Sequence, residues 1–210
     1  MNDLKTLQES IEKGKLNEAV EFVKAAIAEK VDVQGIMSAM MSAMEAIGQR
    51  FGQGKAFVPE LLMAGRAMKG ALELLKPLLV ANKSAMRGKV VIGTVKGDLH
   101  DIGKNLVSSM LEGSGFEIVD LGIDVPAEKF VNAVREHNPD ILCLSALLTT
   151  TMPYMKDVIE ALKTAGLRSK VKIVVGGAPV SQSYSNEVGA DGYGDNANSA
   201  AVLAKTLVAA

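Results

Sequence analysis

The sequence predicts an α/β protein: an N-terminal four-helix bundle followed by a doubly wound, parallel, five-stranded sheet. Two observations carry that prediction. Up to about residue 85 the apolar residues recur only at helical spacing, and beyond residue 88 short β-rich runs alternate with helical stretches. A third bounds it: 48% of the 210 residues are hydrophobic, enough for one large domain or two small ones with real cores.

In the first half, Leu4, Leu7 and Ile11 share a helical face, and after a break at Gly14 so do Val20, Val23 and Ile27. A longer stripe runs through Ile36, Met40, Met44, Ile47 and Phe51. After the interruption Gly52-Gln53-Gly54, Pro59 suits the first turn of a fourth helix, whose stripe is Leu61, Met68, Leu72, Leu75 and Leu79. The methionines Met37, Met40, Met41 and Met44 read as core packing, because Met fills irregular gaps. The segment 81–88 breaks the pattern and is the expected linker, giving domains 1–85 and 88–210.

In the second half, strands are expected at Val90–Val95, Phe116–Leu121, Ile141–Ser145 and Val171–Val175, with a weaker one at Asp191–Tyr193. The helical stretches between them are marked by Leu106 and Met110, by Phe130 and Val134, and by Val158 and Leu162; 196–209 closes the series. In such sheets ligands bind beyond the carboxyl ends of the strands, where strand order reverses. That directs attention to the loops after the first, third and fourth strands.

Several functional classes are disfavoured. A formal net charge of −1 leaves no electrostatic footprint for nucleic acid or an anionic membrane. The single Cys143, in an apolar run, builds neither a disulfide framework nor a Cys-rich metal site and reads as a buried thiol. No apolar stretch is long enough to cross a bilayer and the first ten residues lack a signal-peptide core, so a cytoplasmic protein is expected.

The first strand runs into Gly97-Asp98-Leu99-His100-Asp101-Ile102-Gly103, which holds one of two histidines in the chain. Asp98 is near enough to hydrogen-bond one ring nitrogen of His100 and leave the other free for a metal. Gly97 and Gly103 permit turns and the close approach of something bulky. A helix cap is the alternative reading of the His–Asp pair. The phosphate-loop pattern G-x-x-x-x-G-K-[ST] is absent, and neither Cys143 nor His137 has zinc-ligand spacing to His100. His137 is expected at a helix C-terminus on the surface. After the third strand, Ser145 to Thr151 offers small residues and hydroxyls that either meet a ligand or cap the next helix. Gly176-Gly177 after the fourth leaves room for a ligand tail, or simply makes a turn.

Taken together, Asp98-x-His100-x-x-Gly103, Ser145-x-Leu147 and Gly176-Gly177 resemble the three-part signature of cobalamin-binding domains, in the right order along a flavodoxin-like (Rossmann-like) pattern. Residues 51–60 resemble the helical cap paired with that domain in methyl-transferring proteins. The resemblance extends across nearly the whole chain to the stand-alone corrinoid proteins of methylamine, methanol and related methyltransferase systems, and the run 145–152 is similar to the methylamine branch; the cobalamin module of methionine synthase is similar too.

That resemblance implies His100 as the lower axial ligand of cobalt, in the arrangement called base-off/His-on, with Asp98 bonding its far nitrogen and Thr151 continuing the relay. It implies contacts to the cofactor from Gly97, Asp101, Ile102, Gly103 and Leu147, and to its nucleotide or corrin edge from Ser145 and Thr149. Gly176, Gly177 and Ala197 match contacts along the nucleotide tail, and Phe51, Val58 and Leu61 match cap positions over the upper face. The cofactor implied is cobalamin, cycling between methylcob(III)alamin and cob(I)alamin, or a related corrinoid. The chain is then no enzyme on its own but a methyl carrier. Its implied partners are a substrate:corrinoid methyltransferase, a methylcorrinoid:tetrahydrofolate or coenzyme M methyltransferase, and a reductive activator. A cobalamin-sensing regulator and a subunit of an adenosylcobalamin mutase are the alternatives, although no basic helix–turn–helix is visible for the first.

Overall fold

The structure is a computed structural model describing residues 3–81 and 86–209. Half of the expected linker, residues 82–85, and the side chain of Leu79 fall outside the described residues. The chain divides into two compact units, Met1–Arg87 with Ser109–Gly115, and Gly88–Ser108 with Phe116–Ala210.

In the first unit four helices form where the apolar period is 3.6: α1 (Leu4–Glu12), α2 (Leu16–Ala28), α3 (Val33–Gly52) and α4 (Val58–Ala81). Asp3 and Asp32 cap α1 and α3 by accepting from the amides of Lys5 and Gly35 at 3.0 and 2.9 Å. Gly14 turns the chain between α1 and α2 at φ +67°, where a Cβ would lie 2.4 Å from that of Met63. The buried stripe of α2 is Ala19, Val23 and Ala26, one position round from the expected Val20, Val23 and Ile27. The reason is close packing: α2 lies along α4, and a Cβ on Gly70 would meet Leu16 and Val20, so small residues fit deepest and branched ones flank the seam. Met37, Met40 and Met44 are buried and Met41 is half-buried.

The second unit is a five-stranded sheet of β1 (Gly88–Thr94), β2 (Phe116–Asp120), β3 (Ile141–Ser145), β4 (Lys172–Gly176) and β5 (Gly192–Gly194), all pairs parallel, in the order β2-β1-β3-β4-β5. The crossovers are α5 (Ile102–Gly113), α6 (Ala127–His137), α7 (Pro153–Thr164) and α8 (Gln182–Val188), and α9 (Ala197–Ala209) follows β5. Val91, Leu142, Leu144, Ile173 and Val175 pack against Phe130, Val134, Val158 and Leu162 of α6 and α7. A Cβ on Gly93 would stand 2.8 Å from the ring of Phe130, so glycine on β1 is what lets that ring lie on the sheet. α6 ends at His137 as expected, with Asn138 in the left-handed region as its cap.

Cys143 is buried in β3, and burial pushes its thiol up to about 12. It stays protonated at ordinary pH, so a disulfide reagent at pH 8 should leave the native protein unmodified and label one thiol after denaturation. Rapid labelling of native protein would contradict that burial.

Candidate functional site

Strand order reverses between β1 and β3: β1 is followed in sequence by the strand on one side of it and β3 by the strand on the other. The loops leaving β1 and β3 therefore diverge at their carboxyl ends and open a crevice. The register brings Thr94, Ser145, Gly176 and Gly194 onto one rung at that edge. The three motif segments, far apart in sequence, thus emerge side by side.

Asp98 spans the crevice. It is 0% exposed, and both carboxylate oxygens are occupied. Oδ1 accepts from the ring Nδ1 of His100 at 2.7 Å and from the His100 amide at 3.1 Å. Oδ2 accepts from the Leu147 amide at 2.7 Å, the Leu148 amide at 3.3 Å and the Thr151 hydroxyl at 2.7 Å. Burial pushes this carboxyl up, but the bonds from Thr151, the Leu147 amide and His100 together overrule it and hold it well below the usual carboxylate range. Asp98 is therefore ionised and acts only as an acceptor, which makes Nδ1 of His100 the protonated nitrogen. The lone pair is then on Nε2, which has no partner among the described residues. The side chain of His100 is 50% exposed, so that nitrogen is within reach of a ligand.

Thr151 is buried, and its one hydroxyl proton lies within reach of Asp98 and of the Leu148 carbonyl at 2.9 Å. Its methyl carbon sits 3.7 Å from where a Cβ on Gly97 would stand, so the methyl rests over a glycine while the hydroxyl keeps both partners. Gly97 itself turns at φ +78°, a conformation that side chains resist. Around His100 the loops expose apolar side chains: Leu99 at 67%, Ile102 at 70%, and Leu147 and Leu148 at 42% each. A half-exposed imidazole nitrogen ringed by exposed apolar residues fits a large, flat, apolar metal macrocycle.

The other expected contacts are placed as follows. Asp101, Gly103 and Thr149 are exposed, Ser145 is half-buried at the end of β3, and Ala197 is buried at the start of α9. Gly177 is demanded by the protein's own backbone: its φ is +129°, and a Cβ there would stand 1.8 Å from the Ala146 carbonyl oxygen. Gly177→Ala should therefore destabilise the protein by about 3 kcal/mol. A urea midpoint equal to wild type would show that the loops after β3 and β4 part easily. In the helical unit, Phe51 is half-buried, Val58 exposed and Leu61 buried, so of the three Val58 presents the most surface.

The turn after β2 is the part of the site that sequence reasoning missed. Asp124, at φ +51°, accepts from the Gly97 amide at 2.7 Å and donates its own amide to the Asp98 carbonyl at 3.0 Å. Thr94 donates its hydroxyl to the His100 carbonyl at 2.9 Å and its amide to the Gly122 carbonyl at 3.0 Å. The run Gly122-Ile123-Asp124-Val125-Pro126 carries turn chemistry that flags a loop, but nothing local says what that loop grips.

Two families, each described as "B12 binding domain", match the chain, one at residues 88–202 and the other at residues 4–76. Dimethylamine corrinoid protein 3 of Methanosarcina mazei is 48% identical over 167 residues, covering 79% of this chain and 100% of that protein. The dimethylamine corrinoid protein of Methanosarcina barkeri is 42% identical over 207 residues, covering 98% of this chain and 97% of that one. Among solved structures, the methanol:cobalamin methyltransferase complex of Methanosarcina barkeri contains a chain that matches with a TM-score of 0.84 and 33% identity, over 98% of this chain and 80% of that one.

Proposed function

We propose, from the premise that this chain belongs to the B12-binding domain family, that it is the methyl-carrying corrinoid component of a multi-component methyltransferase system and holds cobalt through His100. Membership makes it a binder of cobalamin or a related corrinoid. The observation that carries the finer reading is the 2.7 Å contact between Asp98 and Nδ1 of His100, which leaves the Nε2 lone pair accessible at the topological switch point.

When bound, the corrinoid supplies a cobalt centre that accepts and releases a methyl group. The chain's own residues do the rest. His100 would hold the cobalt through Nε2, in the base-off/His-on manner that the family resemblance implies, and Asp98 fixes its tautomer and ring orientation. The Thr151 hydroxyl donates to the Asp98 carboxylate and helps keep it ionised, as the acceptor for Nδ1 of His100. Leu99, Ile102, Leu147 and Leu148 exclude water from around the ligand nitrogen. Gly97, Asp101 and Gly103 complete the loop that faces the cofactor, Ser145 and Thr149 present hydroxyls to its polar rim, and Gly176, Gly177 and Ala197 border its nucleotide tail. The helical unit, through Phe51, Val58 and Leu61, serves as a cap that shields the reactive face.

Partners supply the catalysis. The methylamine corrinoid proteins among the relatives support a methylated amine as the first donor, delivered by a substrate:corrinoid methyltransferase. A second methyltransferase passes the methyl group to tetrahydrofolate or coenzyme M, and a reductive activator restores oxidised cobalt. The test is a single-turnover assay of the cobalamin-reconstituted, reduced protein with purified methyltransferases for mono-, di- and trimethylamine and for methanol. One of them should convert the bound corrinoid to its methylated spectrum. A protein that binds cobalamin but is methylated by none of these enzymes, while binding a DNA operator or supporting an adenosyl-dependent rearrangement, would overturn the carrier reading.

A further inference from the structure

The side chain of Lys104, in the first turn of α5, is 2% exposed, an unusual place for an ammonium. Keeping a charge out of water is costly unless it is paired and hydrogen-bonded, and Lys104 is both. Its Nζ donates to the Asp120 carboxylate at the end of β2 and to the side-chain oxygen of Asn105 at 2.8 Å. Each acceptor leads back to the same loop. The free oxygen of Asp120 accepts from the Gly122 amide at 2.9 Å, the Gly122 carbonyl accepts from the Thr94 amide, and the Thr94 hydroxyl donates to the His100 carbonyl. On the other side, the Lys104 bond fixes which way the Asn105 amide faces, so that its nitrogen donates to the carboxylate of Asp101, the residue after His100, at 3.0 Å.

We propose that Lys104 is a positioning residue: its buried ammonium clamps the His100 loop from both ends, through Asp120 and the turn after β2 on one side and through Asn105 and Asp101 on the other. This rests on the reading of His100 as the cobalt ligand. The ammonium sits between the two groups that fix the backbone before and after the ligand, and the turn that it braces also holds Gly97 and Asp98 through Asp124. The device sets where the imidazole stands before any cofactor arrives, which lowers the ordering cost of ligation.

Lys104→Met keeps the length and apolar stem and removes the charge. Asp120 and Asn105 both reach solvent, so no charge is left stranded. In the apo-protein, amide hydrogen exchange at Gly97, His100, Gly122 and Asp124 should accelerate by about tenfold or more, with Val91, Leu142 and Ile173 unchanged. In the full chain with cobalamin, affinity should fall roughly 10- to 100-fold and nitrogen ligation of cobalt should become partial. The surface variants Asp120→Ala and Asn105→Ala should each reproduce one half of the effect, the first at Gly122 and the second at His100, next to the Asp101 carboxylate that Asn105 holds. Equal acceleration of the core strand amides would make Lys104 a pillar of the fold only, and unchanged loop exchange would remove the clamp; either overturns the proposal. A wild-type holo-protein without nitrogen ligation would instead overturn the ligand reading, and the proposal with it, a failure distinguishable because it needs no variant.

Discussion

His100→Ala should abolish nitrogen ligation of cobalt in the reconstituted protein and weaken corrinoid binding on the order of a hundredfold or more. The ring is the group in the crevice that presents a free nitrogen while its other nitrogen is anchored. The spectrum of the cobalt(II) form is the measurement: wild type should show the superhyperfine splitting of one imidazole nitrogen, and the variant should lose it. His137→Ala is the control, because His137 ends α6 and belongs to none of the crevice loops. An unchanged nitrogen pattern in His100→Ala would remove the axial-ligand reading outright. The fold should survive, since the side chain is half-exposed and Asp98 retains its other donors.

The other large effect is expected at Asp98, on the protein without cofactor. Asp98→Ala leaves the amides of Leu147, Leu148 and His100 and the hydroxyl of Thr151 without their shared acceptor. The loss should be about 4 kcal/mol, from stranded donors that water reaches only in part. Asp98→Asn, with one oxygen in place of two acceptors, should lose about half of that. The pH dependence has a definite sign. Because the folded carboxyl is held below its unfolded value of about 3.9, its contribution is complete above that value and is lost as the pH falls through the depressed one. Urea midpoints of wild type and Asp98→Ala should therefore differ equally at pH 7 and pH 5 and converge only in strong acid. Equal midpoints at pH 7 would mean that the bonds between the β1 and β3 loops hold nothing together.

The site offers its free nitrogen through His100 and holds the β1 and β3 loops together through Asp98. Asp98 orients His100, as its sequence position suggests, and it also ties the β1 loop to the β3 loop. Replacing it disturbs both, so affinity measurements on Asp98 variants need the apo stability alongside them. Lys104 offers a cleaner probe of orientation alone.

Much of the architecture was legible from the chain. Four helices and five strands follow from apolar periods of 3.6 residues and from short β-rich runs, because those patterns are set by which face of a local element is buried. The His100 loop was legible too, since Gly97, Asp98 and His100 lie within four residues and the hydrogen bond between the last two is a local matter. Strand ends were less so: β4 begins at Lys172 and β5 is only Gly192–Gly194, because pairing with a neighbour, not composition, decides where a strand starts. The expected stripe of α2 missed by one position because it ranked residues by hydrophobicity, whereas close packing against α4 puts alanine deepest.

What the sequence determined by itself, then, is the kind of element at each place and the presence of a metal-competent histidine in a glycine-flanked loop. Only the tertiary structure decided that Asp98 meets Thr151, 53 residues away, that Lys104 is buried against Asp120, and that the turn after β2 grips the His100 loop. It also decided why Gly177 is glycine, which is the approach of the Ala146 carbonyl across the gap between β3 and β4. The physical reason is the same in each case. Periodicity and turn chemistry act between near neighbours in the chain, whereas the strand order β2-β1-β3-β4-β5 and its register set which distant donors and acceptors come within hydrogen-bonding distance.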